Sequence, residues 1–331
     1  MISLRRIIIN ILITGATGFV GKHLIERIKK NTQFNLTVVT RRDIFIDNVN
    51  CKTISNICSS TDWDGVIDNI DVIVHTAARV HVMNDTSSNP LHEFREVNTR
   101  GTLKLAKDAA LKGVKRFVFI SSIKVGGESS QLGNPLTEDS NYIPSDPYGL
   151  SKYEAEQQLL ELAKHSEMEV VIIRPTLIYG PDVKANFETM MNWVSKPIPL
   201  PFGAINNKRS LVSIDNLISL IEVCLTHPKA KGEIFYVNDG NDISTSDLLR
   251  KLYKSFSNGA PLIPMPMSLI NLLFKLIGKS DYSARLLGSL QVDISKAKTL
   301  LNWTPPYSVD DSIDKTVKHF IQTKKQSNER N

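Results

Sequence analysis

The chain has 331 residues and a mass of 37.0 kDa, a length that predicts one large domain or two closely joined ones. Its composition, 41% hydrophobic and 22% charged with 17 Gly and 15 Pro, excludes collagen-like, low-complexity and largely disordered proteins and predicts a soluble globular chain. The formal net charge is +6, but the basic residues form no dense stripe with interleaved aromatics. We therefore expect an anionic small-molecule substrate rather than nucleic acid. Three cysteines at no metal-ligand spacing argue against disulfides and a bound metal, and favour a cytoplasmic location.

The first half of the chain alternates short, β-branched apolar runs with helical patterns. Strands are predicted at Ile7–Thr14, Leu36–Thr40, Val72–Thr76, Arg116–Ser121 and Val170–Arg174, and helices at Val20–Lys30, Glu93–Lys112 and Pro147–Lys164. Strands that are apolar on both faces and alternate with helices predict an α/β fold with a Rossmann-type, doubly wound parallel sheet. The apolar N-terminal run leads straight into a glycine motif and has no cleavage site, so we interpret it as a strand and not as a signal peptide.

The pattern changes after Arg174, where prolines at 175, 181, 197, 199 and 201 interrupt it. Helices are predicted at Asp215–Leu225, Thr245–Ser255, Met267–Ile277, Ser295–Leu301 and Val309–Thr323. This pattern predicts a cofactor-binding domain over residues 1–178 and a smaller, mainly helical substrate-binding region over 179–331, partly interleaved with the first. Met267–Ile277 is too short to span a bilayer, so we expect a buried or partner-facing helix and leave open its attachment to a membrane surface.

Three glycines mark the turn from the first strand into the first helix. Gly15 would permit the tight turn, Gly18 would let a pyrophosphate approach the backbone, and Gly21 would allow close packing of the helix on the strand. The N-terminus of the helix would then present free N–H groups to the phosphates. The spacing therefore predicts a nicotinamide dinucleotide site.

The end of the second strand bears on the choice between NAD and NADP. An acidic residue there binds the ribose hydroxyl of NAD, whereas arginine accommodates the 2′-phosphate of NADP. Arg41 and Arg42 stand at this position, and the first acid is Asp43. We expect NADP(H) to be favoured, with NAD as the alternative if the two arginines are only solvated.

A tyrosine and a lysine four residues apart form the candidate catalytic pair. Tyr148 and Lys152 lie on one face of the predicted helix, where an ammonium would lower the tyrosine pKa and make it a general acid or base. Ser121 and Ser122 follow the preceding strand, where a hydroxyl can hydrogen-bond the reacting oxygen.

With Gly-x-x-Gly-x-x-Gly, Ser and Tyr-x-x-x-Lys in this order, the chain resembles the extended short-chain dehydrogenase/reductases. Within them it is similar to the NAD-dependent epimerase/dehydratase group, which modifies nucleotide sugars. Further segments carry the resemblance over nearly the whole chain, namely those at 71–78, 97–102, 174–181 and 209–215.

The resemblance implies roles for individual residues. Tyr148 would move the proton, Lys152 would hold the nicotinamide ribose, and Ser122, which aligns better than Ser121, would supply the catalytic hydroxyl. The other expected cofactor-binding residues are Thr17, Phe19, Val20, Asn56, Thr76, Ala77, Ala78 and Asn98. Asn186 and Arg209 would bind the substrate diphosphate, with Arg285 as a further candidate, whereas His75 and His81 are expected to be packing residues.

The chain also departs from the family pattern. Asn56 stands where the family has an acid for the adenine amino group, although its amide oxygen can accept the same hydrogen bond. Arg41 aligns with the acid that selects NAD. Ile123 and Lys124 occupy the place of the Asp-Glu pair with which sugar 4,6-dehydratases eliminate water, so dehydratase activity is not expected.

The resemblance therefore implies an enzyme that acts at sugar C4. Because of Arg41 and Arg42 we expect a UDP-4-keto-6-deoxy-hexosamine 4-reductase of bacterial surface polysaccharide biosynthesis. The alternatives are a 4-epimerase for UDP-glucose or UDP-N-acetylglucosamine, a non-catalytic NADP-binding sensor, and a reductase of carbonyls that carry no nucleotide. We also expect a homodimer formed by a four-helix bundle of Glu93–Lys112 and Pro147–Lys164 from each subunit.

Overall fold

The computed structural model describes residues 8–80, 89–257, 259–276, 278, 283 and 286–329. Its strands are β1 (Ile9–Thr14), β2 (Phe34–Thr40), β3 (Asn50–Thr53), β4 (Val72–His75), β5 (Arg116–Ile120), β6 (Glu169–Pro175), β7 (Leu177–Tyr179), β8 (Leu211–Ser213) and β9 (Ile234–Val237). Within the described residues, seven of them form one parallel sheet in the order β3-β2-β1-β4-β5-β6-β9, and β7 pairs separately with β8. The predicted doubly wound parallel sheet is confirmed.

The α-helices of the described residues surround this sheet. They are α1 (Phe19–Ile28), α2 (Pro90–Arg95), α3 (Thr102–Leu111), α4 (Pro147–Lys164), α5 (Ala185–Val194), α6 (Ile214–Cys224), α7 (Thr245–Ser255), α8 (Met267–Leu276), α9 (Ser295–Leu301) and α10 (Val309–Glu329). The predicted helix Glu93–Lys112 instead begins at Pro90, because the Asn89 side chain caps the N–H of His92, and it contains a π-helical segment at Glu96–Gly101. Such segments are frequent at functional sites.

Alternating side chains explain why the sheet is covered on both faces. Ile11 and Ile13 of β1 pack with α1, α6 and α9, while Leu12 between them packs on the opposite face with α3 and α4. Since each face has its own core, the strands are apolar throughout, and the polar side chains that follow them gather at the carboxyl edge of the sheet.

The region after residue 178 contributes to both parts of the molecule. Strand β9 pairs with β6 and so completes the main sheet, although no strand was predicted there. Helices α5, α7 and α10 form a third core around Phe187, Leu252 and Ile313. Short strands such as β7 and β8, three residues each, carry too little periodicity to be recognised in the sequence.

Helix α8 differs from the expectation of a buried helix. Ile270 is the one buried residue among its described side chains, whereas Leu272 and Leu276 are 52% and 74% exposed. Its role as a partner-facing helix stays a prediction. Within the described part of the chain, no helix combines the length and the apolar character needed to cross a bilayer.

Candidate active site

The glycine-rich turn lies where β1 neighbours β4 at the carboxyl edge of the sheet. Gly15 has a φ of +74°, and a Cβ atom there would lie 2.7 Å from the Ala77 backbone nitrogen. A Cβ on Gly21 would lie 2.1 Å from the carbonyl oxygen of Gly15. Both positions therefore require glycine, and the turn brings the start of α1 directly against the end of β4.

This turn fits a dinucleotide pyrophosphate. Gly18 caps α1 in extended conformation without a side-chain hydrogen bond, and the first turn contains no acidic residue. The N–H groups of the first turn have no acceptor within the helix, and Thr17 and Gly18 are exposed beside them. Backbone donors at the positive end of a helix dipole suit a phosphate, so Gly15, Thr17, Gly18, Phe19, Val20 and Gly21 are the residues that would hold it.

The remaining predicted cofactor residues lie close to this turn or support it. The Thr76 hydroxyl donates to the Thr14 carbonyl oxygen at 2.7 Å, and Ala77 and Ala78 are half-buried next to it. Asn56 is exposed, and its amide oxygen already accepts the N–H of Ile57 at 2.9 Å.

Asn98 has a different position from the one expected of a direct cofactor contact. It is fully buried in the π-helical segment and exchanges hydrogen bonds with the Arg79 backbone at 2.8 and 3.0 Å. Its amide also donates to the Ser151 hydroxyl at 3.0 Å. Asn98 thus joins the loop after β4 to the catalytic helix α4, and its effect on a cofactor would be indirect.

Arg41 and Arg42 follow the last residue of β2, and both side chains are exposed. The hydroxyl of Thr40 donates to the Arg42 carbonyl oxygen at 2.6 Å and so fixes the backbone at this point. No acidic side chain pairs with either arginine among the described ion pairs. The position is open to a phosphate or to water alike.

Helix α4 positions the candidate catalytic pair, Tyr148 and Lys152. Asp146 caps the helix by accepting the N–H of Gly149 at 3.1 Å, and Pro147 occupies the first helical position, as predicted. Lys152 is 1% exposed, and its ammonium donates to the Ile120 carbonyl oxygen at 2.9 Å and lies 4.4 Å from the Phe119 ring centre. Burial lowers the pKa of Lys152 to about 7, despite the opposing charge of Glu156.

The pKa of the Tyr148 phenol is raised, whereas that of Lys152 is lowered. Burial raises the pKa of Tyr148 to about 12, and the negative charge of Asp146 adds to the rise, while a hydrogen bond with Ser122 opposes it. This direction is opposite to the lowering that the Tyr-x-x-x-Lys spacing predicts, and it keeps the phenol protonated at neutral pH.

The two serines after β5 differ in environment. Ser122 contacts the Tyr148 phenol and also accepts the N–H of Lys124 at 3.3 Å. The hydroxyl of Ser121 is buried and has no hydrogen-bond partner within the described residues. Ser122 is thus the serine that the fold places against Tyr148.

His75 is fully buried at the end of β4, as expected of a packing residue. Its ring nitrogens lie 2.7 Å from the Thr14 hydroxyl and 2.9 Å from the Thr102 hydroxyl. Burial lowers its pKa to about 3, so the ring stays neutral and is unsuited to proton transfer at neutral pH. His81 lies outside the described residues.

A cavity of about 140 Å³ lies in the second region and brings two predicted substrate residues together. Asn186 at the start of α5 and Arg209 before β8 both line it. Burial lowers the pKa of Arg209, and its guanidinium donates to the Gly288 carbonyl oxygen at 3.0 Å. Arg285 lies outside the described residues.

The cavity is close in the chain to the carboxyl edge of the sheet. Leu177, which lines it, follows the end of β6 by two residues, and β6 neighbours β5, the strand that Ser122 follows. Trp193 also lines the cavity and stacks on Phe202 with ring centres 6.4 Å apart. Trp193 was not predicted as a site residue, because a single tryptophan carries no motif or periodicity that would single it out.

The place of the dehydratase acid pair lacks carboxylates in the structure as well. Ile123 is buried in the core, and the Lys124 ammonium pairs with Asp146 at 2.9 Å. In the part of the chain that the structure describes, no group of three or more His, Cys, Asp or Glu side chains is arranged to hold a metal ion.

Residues 11–237 match the model of the NAD dependent epimerase/dehydratase family. The chain is 49% identical over 314 residues to a UDP-glucose 4-epimerase from Vibrio cholerae, covering 95% of this chain and 96% of the relative. It is 27% identical to an N-acetyl-alpha-D-glucosaminyl-diphospho-ditrans,octacis-undecaprenol 4-epimerase from Escherichia coli O157:H7, over 96% and 97% of the two chains. The fold is similar to that of UDP-glucuronic acid 4-epimerase from Bacillus cereus in complex with NAD, with a TM-score of 0.77, 23% identity and coverage of 95% and 99%.

Proposed function

The chain belongs to the NAD dependent epimerase/dehydratase family, and from this premise we propose that it is a UDP-sugar 4-epimerase that retains its NAD through each turnover. It is an enzyme of nucleotide-sugar chemistry. The reductase expected from the sequence becomes the second candidate, because the 49% identical relative is a 4-epimerase.

The observation that carries the proposal is the hydrogen bond between Ser122 and the Tyr148 phenol. Tyr148 lies in α4, and Lys152 lies one turn further along the same helix. This grouping supplies a proton carrier and a hydroxyl donor for one sugar oxygen. Ile123 and Lys124 stand where dehydratases carry their acid pair, and Lys124 is paired with Asp146, so water elimination is disfavoured. Hydride transfer at C4 is common to both remaining candidates, and the 49% identical 4-epimerase favours its reversible form.

Bound NAD would supply the acceptor and donor of the C4 hydride. In its phenolate form, Tyr148 would take the proton of the C4 hydroxyl and return it once the ring presents its other face. Ser122 stabilises the C4 oxygen by hydrogen bonding. Since the Lys152 pKa lies near 7, its amine can take up a proton when a phenolate forms nearby, and this charge lowers the cost of ionising Tyr148.

We assign the diphosphate of the substrate to the cavity lined by Asn186 and Arg209. A guanidinium is always charged and has several donors, so Arg209, which lines this cavity, suits a phosphate group. The 49% identical UDP-glucose 4-epimerase supports UDP as the nucleotide.

NAD is the cofactor we propose, in place of the NADP(H) expected from Arg41 and Arg42. The family description names NAD, and the Bacillus cereus structure holds NAD, so the comparisons give the NADP preference no support. An epimerase regenerates its cofactor within one turnover and so needs no dissociable reductant.

The reductase remains a candidate because of one specific observation. Arg41 and Arg42 are both exposed at the end of β2, beside the position where NAD enzymes keep an acid. A dissociable NADPH and a UDP-4-keto-6-deoxy-hexosamine would suit this arrangement. A non-catalytic sensor is disfavoured because Ser122, Tyr148 and Lys152 are all present.

The deciding experiment uses two parallel assays. In the first, purified protein receives UDP-glucose or UDP-N-acetylglucosamine without added cofactor, and NMR follows conversion to the galacto isomer. In the second, it receives a UDP-4-keto-6-deoxy-hexosamine with NADPH, and absorbance follows cofactor consumption. Isomer formation without net cofactor change supports the epimerase, whereas stoichiometric loss of NADPH in the second assay alone would establish the reductase.

We further propose a cytoplasmic homodimer. Helix α4 and the run from α2 to α3 lie on the same face of the sheet, and half-buried side chains such as Leu103 and Leu150 remain for a partner. Two such helices from each subunit would form a four-helix bundle. Light scattering should give twice the monomer mass.

A further inference from the structure

One charged residue beside the catalytic serine has no role in the proposed chemistry. Lys124 follows Ser122 by two residues and lies in the short 3-10 helix Ile123–Val125, which comes after β5. The Lys124 ammonium donates to Oδ1 of Asp146 at 2.9 Å and lies 3.9 Å from Glu128. Its side chain is 32% exposed and that of Asp146 is 25% exposed, so the pair is partly shielded from water.

The two carboxylate oxygens of Asp146 have different surroundings. Its Oδ1 atom caps α4 and pairs with Lys124, while Oδ2 is buried without a hydrogen-bond partner within the described residues. A Cβ on Gly149 would lie 2.5 Å from this Oδ2, so glycine there makes room for the carboxylate. The negative charge also acts on the Tyr148 phenol, two residues further along the chain.

We propose that Lys124 is a positioning residue that neutralises the capping carboxylate of Asp146 and ties the turn of Ser122 to the helix of Tyr148. The pair joins the two segments whose hydroxyl groups must meet at one sugar oxygen. An ion pair has a field that falls off faster with distance than that of a lone carboxylate, so Lys124 limits the effect of Asp146 on Tyr148. This proposal rests on the proposed proton-transfer role of Tyr148.

The other charged groups around Tyr148 come from each element packed against it. The Phe94 ring of α2 packs edge to face against the Tyr148 ring, with 6.1 Å between ring centres. The Arg79 guanidinium lies over the Phe94 ring, 5.5 Å from its centre. Asp146 is the charged group that acts on the Tyr148 phenol, and the charges on the elements packed around it are Lys124, Glu128, Lys152 and Arg79. Lys152 is held by Ile120 and not by Asp146, so Lys124 is the direct counter-charge of the cap.

The proposal predicts opposite pH effects for two substitutions. Lys124→Met leaves Asp146 unbalanced, raises the pKa of Tyr148 and moves the rising limb of the pH profile of kcat/KM to higher pH. At a pH below that limb the activity should fall roughly three- to tenfold and should recover in alkali. Asp146→Asn keeps the N-cap, since asparagine caps as well as aspartate, and should move the limb to lower pH.

The double variant and a surface control complete the test. Lys124→Met with Asp146→Asn should return the limb close to its wild-type position. Lys115→Met removes an ammonium that pairs with Asp71 at the surface and should leave the profile unchanged. A uniform loss of activity at every pH in Lys124→Met, or an unmoved limb in Asp146→Asn, would overturn the proposal.

A second measurement does not depend on turnover. The ring carbon bound to the phenolic oxygen of Tyr148 can be followed by NMR in protein labelled with ¹³C-tyrosine, with Tyr148→Phe giving the assignment. The titration should move up in Lys124→Met and down in Asp146→Asn. If the phenol shifts as expected while no UDP-sugar is converted, the proposed function fails and the role of Lys124 stands; if no shift occurs in an active enzyme, the reverse holds.

Discussion

The cofactor half of the molecule and the substrate region are held together in different ways. Around the glycine-rich turn, side chains at strand ends contact neighbouring strands and helices of the sheet, as when the hydroxyls of Thr14 in β1 and Thr102 in α3 contact the His75 ring. In the substrate region the contacts join segments that are far apart in the chain. Asn207, for example, donates to the carbonyl oxygens of Leu286 and Gly288, about eighty residues away.

This difference separates the residues of the proposed proton transfer from those of the proposed substrate site. Tyr148 and Lys152 lie on α4, where the Lys152 side chain is buried against β5. The cavity with Asn186 and Arg209 is lined instead by α5, α7, β7 and β8, together with Leu286. Because the two sets of elements are separate, the proposed sugar specificity can change while the proposed reaction at C4 is kept, in line with function residing in sites placed on a fold.

The largest effect is expected in the cofactor half, from Tyr148→Phe. Loss of the phenolic oxygen removes the proton carrier, so turnover should fall roughly thousandfold. The ring and its packing against Phe94 remain, and bound cofactor should therefore be retained. Turnover and the cofactor content of the purified protein are measured together, and a variant with wild-type turnover would remove Tyr148 from the mechanism.

The predictive power of the sequence follows the same division. The glycine turn, the strand ends and the cap at Asp146 are local patterns, and they placed Gly15, Ser122 and Tyr148 correctly with respect to the sheet. Strand β9 was missed because its pairing with β6 is non-local, and Trp193 was missed because a single aromatic carries no periodicity. The raised pKa of Tyr148 also escaped prediction, since burial is a property of the assembled core and not of the Tyr-x-x-x-Lys spacing.

The second prediction tests the close approach of α1 to the turn. Gly21→Ala places a methyl group 2.1 Å from the Gly15 carbonyl oxygen, so α1 must move away and its N–H groups leave the phosphate position. The affinity for NAD should fall roughly hundredfold. Titration calorimetry measures this loss.

Gly259→Ala is the matched control for that substitution. A Cβ there meets nothing within 4 Å, so the same change in the second region should leave the affinity for NAD and the stability nearly unchanged. Equal behaviour of the two variants would contradict the geometric role of Gly21.

A third prediction moves to the substrate region. Arg209→Met keeps much of the side-chain volume but removes the charge at the cavity, and charge-assisted bonds to a phosphate contribute about 1.5–3 kcal/mol. Affinity for UDP should therefore weaken roughly ten- to a hundredfold, with NAD binding unaffected. Lys208→Met removes a charge from the neighbouring exposed residue and should have little effect; if both variants bind UDP alike, Arg209 is not the diphosphate ligand.

The smallest effect is expected on the pH dependence of the free energy of unfolding, and it compares two histidines, one in each region. His75 has a pKa of about 3 in the fold and an ordinary value near 6.5 when unfolded, so between these values the unfolded chain binds the extra proton. The free energy of unfolding should thus decrease by about 1.4 kcal/mol for each pH unit of acidification through this range. In His75→Asn this proton uptake by the unfolded chain is absent, so the stability falls less steeply in acid. His319, whose ring contacts Asp182 at the surface, serves as the control, and His319→Asn should keep the wild-type slope because exposed pairs contribute little. Urea denaturation at several pH values between about 6.5 and 4.5 measures the slopes, and an unchanged slope in His75→Asn would show that another buried group sets the acid sensitivity.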